Sequence, residues 1–208
     1  MRTILCLLLM WLISENMAAQ FSFTSDSLIC MDTFGGYKSS ISKMEKVQAG
    51  GSFYSIIYCD PVEAPTSYLY VFNDCDSLRI LESLPYQDLQ YLSHGIHKMD
   101  WINFETCRGI VRKFLVPTLK AKWSNYKGDT SDLVNFYFFF DMTGKLREVS
   151  FTYKNEIKND LPIYLLDTIS KELVNSNFGL TFNKKQKGLE RANWLMLRYT
   201  FSLRELSK

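Results

Sequence analysis

Residues 133–141 (LVNFYFFFD), with the turn and the segment that follow them, decide the fold. Apolar side chains occupy both alternating sets of positions in 133–141, which is typical of a strand in the centre of a sheet. Gly144 can adopt a positive φ, so residues 141–145 (DMTGK) predict a turn that reverses the chain. Residues 146–153 (LREVSFTY) alternate apolar and polar positions and predict a return strand with one buried and one solvent-facing side. The stretch therefore predicts an antiparallel hairpin.

A helix is predicted on each side of this hairpin. The first follows Asp100 or Asn103, either of which can cap it. We expect this helix to end or kink at Pro117, because a proline pushes the preceding residue out of helical geometry. The second follows Asp160 as its cap, and on its polar side Asp167 is predicted to face water. Both helices carry one apolar stripe, so both are expected to pack against the sheet.

The end of the chain predicts another strand. Residues 194–203 (WLMLRYTFSL) show a clean two-residue alternation of apolar and polar side chains. We expect this strand at an edge of the sheet, where its backbone groups would be open to strand addition by a partner. The C-terminal half is thus ordered α-β-β-α-β. The predicted fold class is α+β, an antiparallel sheet with helices packed on one face.

The first half of the chain is predicted to be mainly β. Residues 21–31, 53–59 and 68–72 have the apolar and β-branched composition of strands. Residues 85–92 begin with a proline and predict a short helix.

The N-terminus has the pattern of a secretory signal peptide. Arg2 precedes ten apolar residues, 4–13 (ILCLLLMWLI), and small residues follow. A membrane anchor would need about 20 apolar residues, so this run is too short to span a bilayer. We expect residues 1–19 to be removed after Ala19, or alternatively after Ala18, and no later stretch is apolar enough to span a membrane. The predicted location is the periplasm or the cell surface.

The net charge of +2 is unevenly distributed along the chain. Residues 20–105 carry 5 Lys and Arg against 11 Asp and Glu, a net charge of −6, whereas 106–208 carry 18 against 10, a net charge of +8. We divide the mature chain into a cysteine-bearing, mainly β region at 20–100 and the α-β-β-α-β region at 101–208. The opposite charges fit either two separate surfaces or two halves of one continuous domain that attract each other.

Four cysteines remain once Cys6 is removed with the leader. An even number in an exported protein is typical of disulfides, although four buried thiols are the alternative. Four cysteines allow three pairings, and the sequence does not choose among them. No Cys-x-x-Cys motif supports a redox site or a zinc ribbon. The candidate disulfide cysteines are Cys30, Cys59, Cys75 and Cys107.

The sequence predicts no catalytic, cofactor or metal site. His94 and His97 have the spacing of two zinc ligands on a helix, but Gly95 disfavours that helix and no third ligand is defined. Ser40 and Lys43 match the Ser-x-x-Lys pattern of penicillin-recognising enzymes, yet the two companion motifs are absent from the sequence. We therefore expect two surface histidines and a chance tetrapeptide.

Two pairs of carboxylates support an alternative function as an envelope or glycan hydrolase. Asp60 with Glu63, and Asp74 with Asp76, could act as the acid and base of a glycosidase if they lay about 5–10 Å apart across a cleft. All four lie in predicted loops, where turn formation is the simpler explanation.

A basic run precedes the last strand and predicts a salt-sensitive anion-binding patch, or else a solvated loop. Its residues are Lys184, Lys185, Lys187 and Arg191. An exported protein is not expected to meet nucleic acid. With 47% hydrophobic residues and 15% aromatics the chain is globular, and we predict a non-catalytic binding or protein-interaction module of the cell envelope. Its partner would be an envelope protein or an anionic polymer, and the sequence allows a homodimer.

Residues 104–203 resemble the C-terminal domain of TonB-type envelope proteins. The matching segments are VNFYFFFDMTGKLREVSFTY, LPIYLLDTISKEL and WLMLRYTFSL. The whole chain, with its Ala-Ala-Gln leader end and aromatic-rich composition, is also similar to small exported proteins of unknown function of the Bacteroides type. The first resemblance implies a small α+β unit, and the second implies an exported location without assigning any site residue.

Overall fold

A computed structural model describes residues 21–24, 27–31, 38–61, 67–73, 86–88, 99–125, 134–183, 185, 189, 191–201 and 206, with backbone alone at 21–24, 27–31, 38–42, 61, 86–88 and 120–125. The strands are β1 (Phe21–Thr24), β2 (Ser27–Met31), β3 (Lys38–Ala49), β4 (Ser52–Pro61), β5 (Tyr68–Asn73), β6 (Tyr86–Asp88), β7 (Met99–Ile102), β8 (Val134–Asp141), β9 (Leu146–Lys154), β10 (Gly179–Phe182) and β11 (Trp194–Thr200). The helices are α1 (Phe104–Asn125) and α2 (Ile163–Asn175), with a 3₁₀ helix at Asn155–Asp160.

The strands form one large sheet and one small one. The order in the large sheet is β1-β2-β3-β4-β5-β9-β8-β11-β6, antiparallel throughout except for the parallel pair β11–β6. Strands β7 and β10 form a two-stranded antiparallel sheet. Because β5 pairs with β9, strands from 20–100 and from 101–208 lie side by side in one sheet. The α+β class is confirmed, and β10 is a short strand that the sequence did not predict.

Both helices pack on the same face of the large sheet. Helix α1 buries a side chain at every fourth residue: Cys107, Val111, Leu115 and Leu119. The main core also contains residues from α2 and from the sheet: Leu166, Ile169, Leu173, Leu69, Val71, Phe136, Phe138, Phe151 and Leu195. Burying each such large side chain contributes about 1.5–3 kcal/mol. The prediction of helices on one face is confirmed.

The β8–β9 hairpin forms as predicted. Its turn is closed by Asp141, whose Oδ1 accepts a hydrogen bond from the Thr143 backbone at 2.8 Å. Gly144 has φ +85°, and its carbonyl accepts a hydrogen bond at 2.9 Å from the backbone of Leu180 in β10. A side chain at Gly144 would collide with that neighbour, so the glycine is required both by conformation and by space.

Helix α1 does not end at Pro117, and this expectation was wrong. The helix continues to Asn125, with Pro117 inside it and exposed. Its buried stripe runs past the proline, from Leu115 to Leu119, so packing against the sheet outweighs the lost backbone hydrogen bond. Thr118 lies in the same turn and donates its hydroxyl to the Phe114 carbonyl at 2.9 Å.

The start of α2 also differs from the prediction. Asp160 belongs to the preceding 3₁₀ helix, and Pro162 occupies the N-cap position without a side-chain cap. Asp167 does not face water: it is 4% exposed, because it lies between α2 and the sheet where its Oδ1 accepts a hydrogen bond from the Tyr54 hydroxyl at 2.8 Å.

Two expectations about the end of the sheet were wrong. Within 85–92 the structure has strand β6 at Tyr86–Asp88 instead of a helix. This strand pairs with Trp194–Met196 of β11, while β8 pairs with the other side of β11. Pairing with a neighbouring strand overrides a weak helical preference. As a result β11 is an interior strand over these residues, not an edge.

Candidate binding face

The large sheet has a second face, opposite α1 and α2, which we call the distal face. It is defined by one row of direct cross-strand partners that crosses six strands: Met44, Ile57, Tyr70, Thr152, Asn135 and Thr200. Successive side chains of a strand point to opposite faces, so residues two positions away on each strand share this face. The alternate residues, such as Tyr54 and Phe151, belong to the core beneath the helices.

One half of the distal face presents apolar side chains to solvent. Met44 and Phe53 are each 53% exposed. Ile57 is half-buried beside them, and on the next strand the rings of Tyr70 and Phe72 lie nearly parallel with their centroids 6.2 Å apart. Neighbouring apolar side chains left exposed on a soluble domain are typical of an interaction surface.

The other half of the distal face holds a compact aromatic cluster. Tyr137, Phe139, Trp194 and Met196 are buried together on β8 and β11, and Phe72 packs against them from β5. The rings of Phe139 and Trp194 lie 5.3 Å apart. This cluster is separate from the core under the helices, so the sheet is packed on both faces in its C-terminal half.

Strand β9 contributes two hydroxyls to the distal face between these aromatic side chains. The sequence predicted that Ser150 and Thr152 would face water, but they are 1% and 4% exposed, so that prediction was wrong. The reason is that β9 lies between β5 and β8, whose large rings flank its small side chains. Among the described residues, neither hydroxyl has a hydrogen-bond partner. A buried hydroxyl without a partner costs about 1–3 kcal/mol, so each calls for a physical explanation.

Replacing Thr152 with valine is expected to raise the free energy of unfolding by about 1 kcal/mol. The change keeps the branched shape and removes a buried hydroxyl that has no hydrogen-bond partner in the part of the chain that the structure describes. Chemical denaturation measures the effect. A matched control is Thr118→Val, which removes a hydroxyl that does bond to a carbonyl and should lower stability. A loss of stability in Thr152→Val would mean that its hydroxyl is bonded in the folded protein.

Three cations flank the row that defines the distal face. Each cation lies two positions along its strand from a residue of the row, so it shares the distal face. The three are Lys46 beside Met44, Lys154 beside Thr152 and Arg198 beside Thr200. Among the described residues in this row and in the positions beside it, none is Asp or Glu.

The buried carboxylates lie on the other side of the sheet, where they hold α2 in place. Asp167 bonds to Tyr54 and to Lys171 Nζ at 2.8 Å, and Lys171 also donates to the Gly50 carbonyl at 2.6 Å. Glu148 is buried and accepts hydrogen bonds from the Asn73 side chain of β5 at 2.9 Å and from the Ser170 hydroxyl of α2 at 3.4 Å. Both carboxylates serve contacts between helix and sheet.

A charged cluster ties the 3₁₀ helix to β3 and β4. The Tyr58 hydroxyl donates to Glu45 and accepts a hydrogen bond from Lys158, while Lys43 Nζ lies 2.7 Å from Glu45 Oε2. The hydrogen bond from Lys43, followed by that from Tyr58, lowers the pKa of Glu45 to about 2. The hydrogen bond to Tyr58 raises the pKa of Lys158. Burial raises the pKa of Tyr153.

Acidification is expected to remove the stabilisation that Glu45 provides. Its pKa is lower in the folded protein, so this contribution is fully present above about pH 4.5 and is lost as the pH falls towards about 2. The free energy of unfolding of Glu45→Gln should therefore lie below that of the wild type at neutral pH, with the gap closing near pH 2. A gap that stays constant over this range would contradict the assignment.

Three of the four candidate disulfide cysteines are described, and they lie in separate elements. Cys59 is buried in β4, and Cys107 is buried in α1 in the core under the helices. Cys30 is in β2, opposite Ser39 of β3. Cys75 lies outside the described residues, so the disulfide pairings stay a prediction.

The other residues singled out in the sequence fall mostly outside the described part of the chain. Lys185 and Arg191 are exposed, while Lys184 and Lys187 are not described, so the anion-binding patch stays a prediction. Asp60 lies in β4 and accepts a hydrogen bond from Ser67 at 2.5 Å. The remaining carboxylates of the two pairs and both histidines are not described: Glu63, Asp74, Asp76, His94 and His97.

The described residues contain no group of three or more His, Cys, Asp and Glu arranged to hold a metal ion. None of the described helices is long and apolar enough to cross a membrane.

The sequence held one signal for the distal face. Tyr68, Tyr70 and Phe72 alternate along a predicted strand, which places three rings on one side of it. Ile57, which is the partner of Tyr70, and Phe53 further along the same strand also lie in a predicted strand. The register between these strands, which only the structure supplies, brings the side chains together.

The fold is shared with a solved structure. A DUF5043 family protein from Bacteroides uniformis ATCC 8492, with a crystal structure at 1.85 Å resolution, matches this chain with a TM-score of 0.52 and 15% sequence identity. The match covers 78% of this chain and 86% of that chain, and at this identity it shows the fold alone. No protein-family model and no curated protein matches the sequence. The expected likeness to a Bacteroides-type protein is thus supported at the level of fold, whereas no TonB-like resemblance is found.

Proposed function

We propose that the protein is an exported, non-catalytic binding module of the cell envelope that docks its partner on the distal face. The observation that carries the proposal is the exposed apolar surface of Met44 and Phe53, which continues into the rings of Tyr70 and Phe72. We favour docking on this face over the strand addition expected at β11, because β11 is an interior strand over Trp194–Met196. The buried carboxylates Asp167 and Glu148 support a non-catalytic role, since each accepts a hydrogen bond between α2 and the sheet: Asp167 from Tyr54 and Glu148 from Ser170.

The docking surface is tested by co-sedimentation with envelope fragments from the cells that produce the protein. The Met44→Ser/Phe53→Ser double variant should bind about tenfold less than the wild type with an unchanged Tm, because both side chains are half exposed. Tyr164→Ser is the matched control, since Tyr164 is 68% exposed on α2, on the opposite side of the sheet. Equal binding by all three proteins would overturn the proposal.

Export is tested separately by determining the first residue of the mature chain. Mass spectrometry of the protein from its own cells should find a chain that begins at Gln20, or at Ala19 if the alternative cleavage is used. A cytoplasmic protein that retains Met1 would contradict this part of the proposal.

A further inference from the structure

From the composition, size and shape of the distal face on β1–β5, we infer that its partner is a second copy of this chain. The inference rests on the proposed function and names the partner that docks there. We call this part of the distal face the open half. Its sixteen positions are 21 and 23 of β1, 28 and 30 of β2, 39, 41, 44, 46 and 48 of β3, 53, 55, 57 and 59 of β4, and 68, 70 and 72 of β5.

The open half is much more apolar than the chain as a whole. Hydrophobic residues occupy twelve of its sixteen positions, against 47% of all residues in the sequence. The bulge in β3 contributes to this, because it keeps Ile41 on the same face as Met44 although the two lie three positions apart. Interfaces between identical subunits are more apolar than those between transient partners, so this composition favours a second copy.

The charge of the open half also favours pairing with itself. A twofold axis sets the same surface against its copy, so a patch rich in one sign of charge would repel its partner. Among the sixteen positions Lys46 is the only charged residue, and the other polar ones, Ser39, Gln48 and Ser55, are neutral. The open half can therefore be buried against itself without bringing rows of like charges together.

The open half has the size of a dimer interface. Each residue on one face of a sheet occupies about 6.6 Å along its strand and about 4.8 Å across it, so sixteen positions cover roughly 500 Å² in projection. Side chains that stand on this area add to the surface that a partner buries, and a standard interface buries about 800 Å² of accessible surface on each side. A second sheet packed about 10 Å away would cover the whole of the open half.

The shape of the open half allows it to fit its own copy. Phe53 projects from the sheet with 53% of its surface exposed. Two positions along β4, the small side chain of Ser55 is surrounded by larger residues: Phe53 and Ile57 on its own strand, and Lys46 and Phe72 on the neighbouring strands. A twofold axis that crosses β4 between these two positions sets Phe53 of each copy over Ser55 of the other. A projecting ring thus meets a hollow on both sides of the interface.

Analytical ultracentrifugation of the protein purified from its own cells tests the inference. We expect a reversible dimer at micromolar concentration, and the Met44→Ser/Phe53→Ser double variant should raise the Kd of the dimer at least about tenfold. Tyr164→Ser, on the opposite side of the sheet, should leave this Kd unchanged. Ser55→Trp adds apolar surface but fills the hollow, so it should also weaken the dimer about tenfold with an unchanged Tm. A monomer at all concentrations, or a dimer that Ser55→Trp tightens, would overturn the inference.

Two kinds of envelope fragment separate this inference from the proposed function. Fragments from cells that produce the protein carry copies of it, whereas fragments from a strain that lacks its gene carry none. Added wild-type protein should co-sediment with the first kind only. Equal binding to both kinds, still dependent on Met44 and Phe53, would overturn the second copy as the partner and leave the proposed function standing. Binding to neither kind by a protein that is also monomeric would overturn both.

Discussion

Replacing Asp167 with alanine is expected to lower the free energy of unfolding by about 3 kcal/mol. Asp167 is buried and accepts a hydrogen bond from Tyr54, which is itself fully buried, at 2.8 Å. Its other oxygen lies 2.8 Å from Lys171 Nζ, and that lysine also bonds to Gly50 in the β3–β4 turn. Removing the carboxylate takes the acceptor from a buried hydroxyl and loosens α2 from the hairpin.

The matched control for this change is Glu172→Ala in the same helix. Glu172 pairs with Lys113 at 2.8 Å, but both side chains are substantially exposed. Exposed ion pairs contribute about 0–1 kcal/mol, so this variant should be nearly as stable as the wild type. Urea denaturation of both variants measures the difference. Equal losses would show that Asp167 does not hold α2 to the sheet.

Replacing Gly144 with alanine is expected to lower the free energy of unfolding by about 3 kcal/mol or more. Its φ of +85° is unfavourable for any other residue. A Cβ there would also lie 1.8 Å from the Leu180 carbonyl oxygen, far inside contact distance. The hairpin and β10 would have to separate to make room.

The Gly51→Ala variant separates the cost of the positive φ from the cost of the steric collision. Gly51 has the same φ of +85°, but nothing lies within 4 Å of the position of its Cβ. This variant should therefore lose only about 1–2 kcal/mol, the cost of the conformation without the collision. If denaturation curves gave equal losses for the two variants, the close contact between Gly144 and Leu180 would be contradicted.

The β8–β9 hairpin could be predicted because its signals are local. A continuous apolar strand, a turn with glycine and an alternating strand need no knowledge of the rest of the chain. The strand at Tyr68–Asn73 and the helix at Ile163–Asn175 were recognisable for the same reason. Their periodicity is complete within a single element.

Features set by distant partners could not be predicted. Strand β3 contains a bulge between Ile41 and Lys43, which interrupts its alternation and hides it from a test of periodicity. Strand β6 is short and depends on its pairing with β11. The burial of Asp167 depends on Tyr54, which is 113 residues away in sequence.

The distal face was missed for a related reason. Polar Ser150 and Thr152 alternate with apolar residues as on a solvent-facing strand, yet rings from β5 and β8 flank them. A face assembled from six strands becomes visible only when the strand order is known. The order places aromatic residues of the first half beside hydroxyls of the second.

Photo-crosslinking in living cells tests the central claim, that the distal face is the binding surface, most directly. A photoreactive amino acid would replace Phe53 on the distal face or, as control, the more exposed Tyr164 on α2. After irradiation the protein is purified, and crosslinked products are detected as species of higher mass. We expect products crosslinked to an envelope component from position 53 and none from position 164. Adducts from position 164 alone, or equally from both, would contradict the claim.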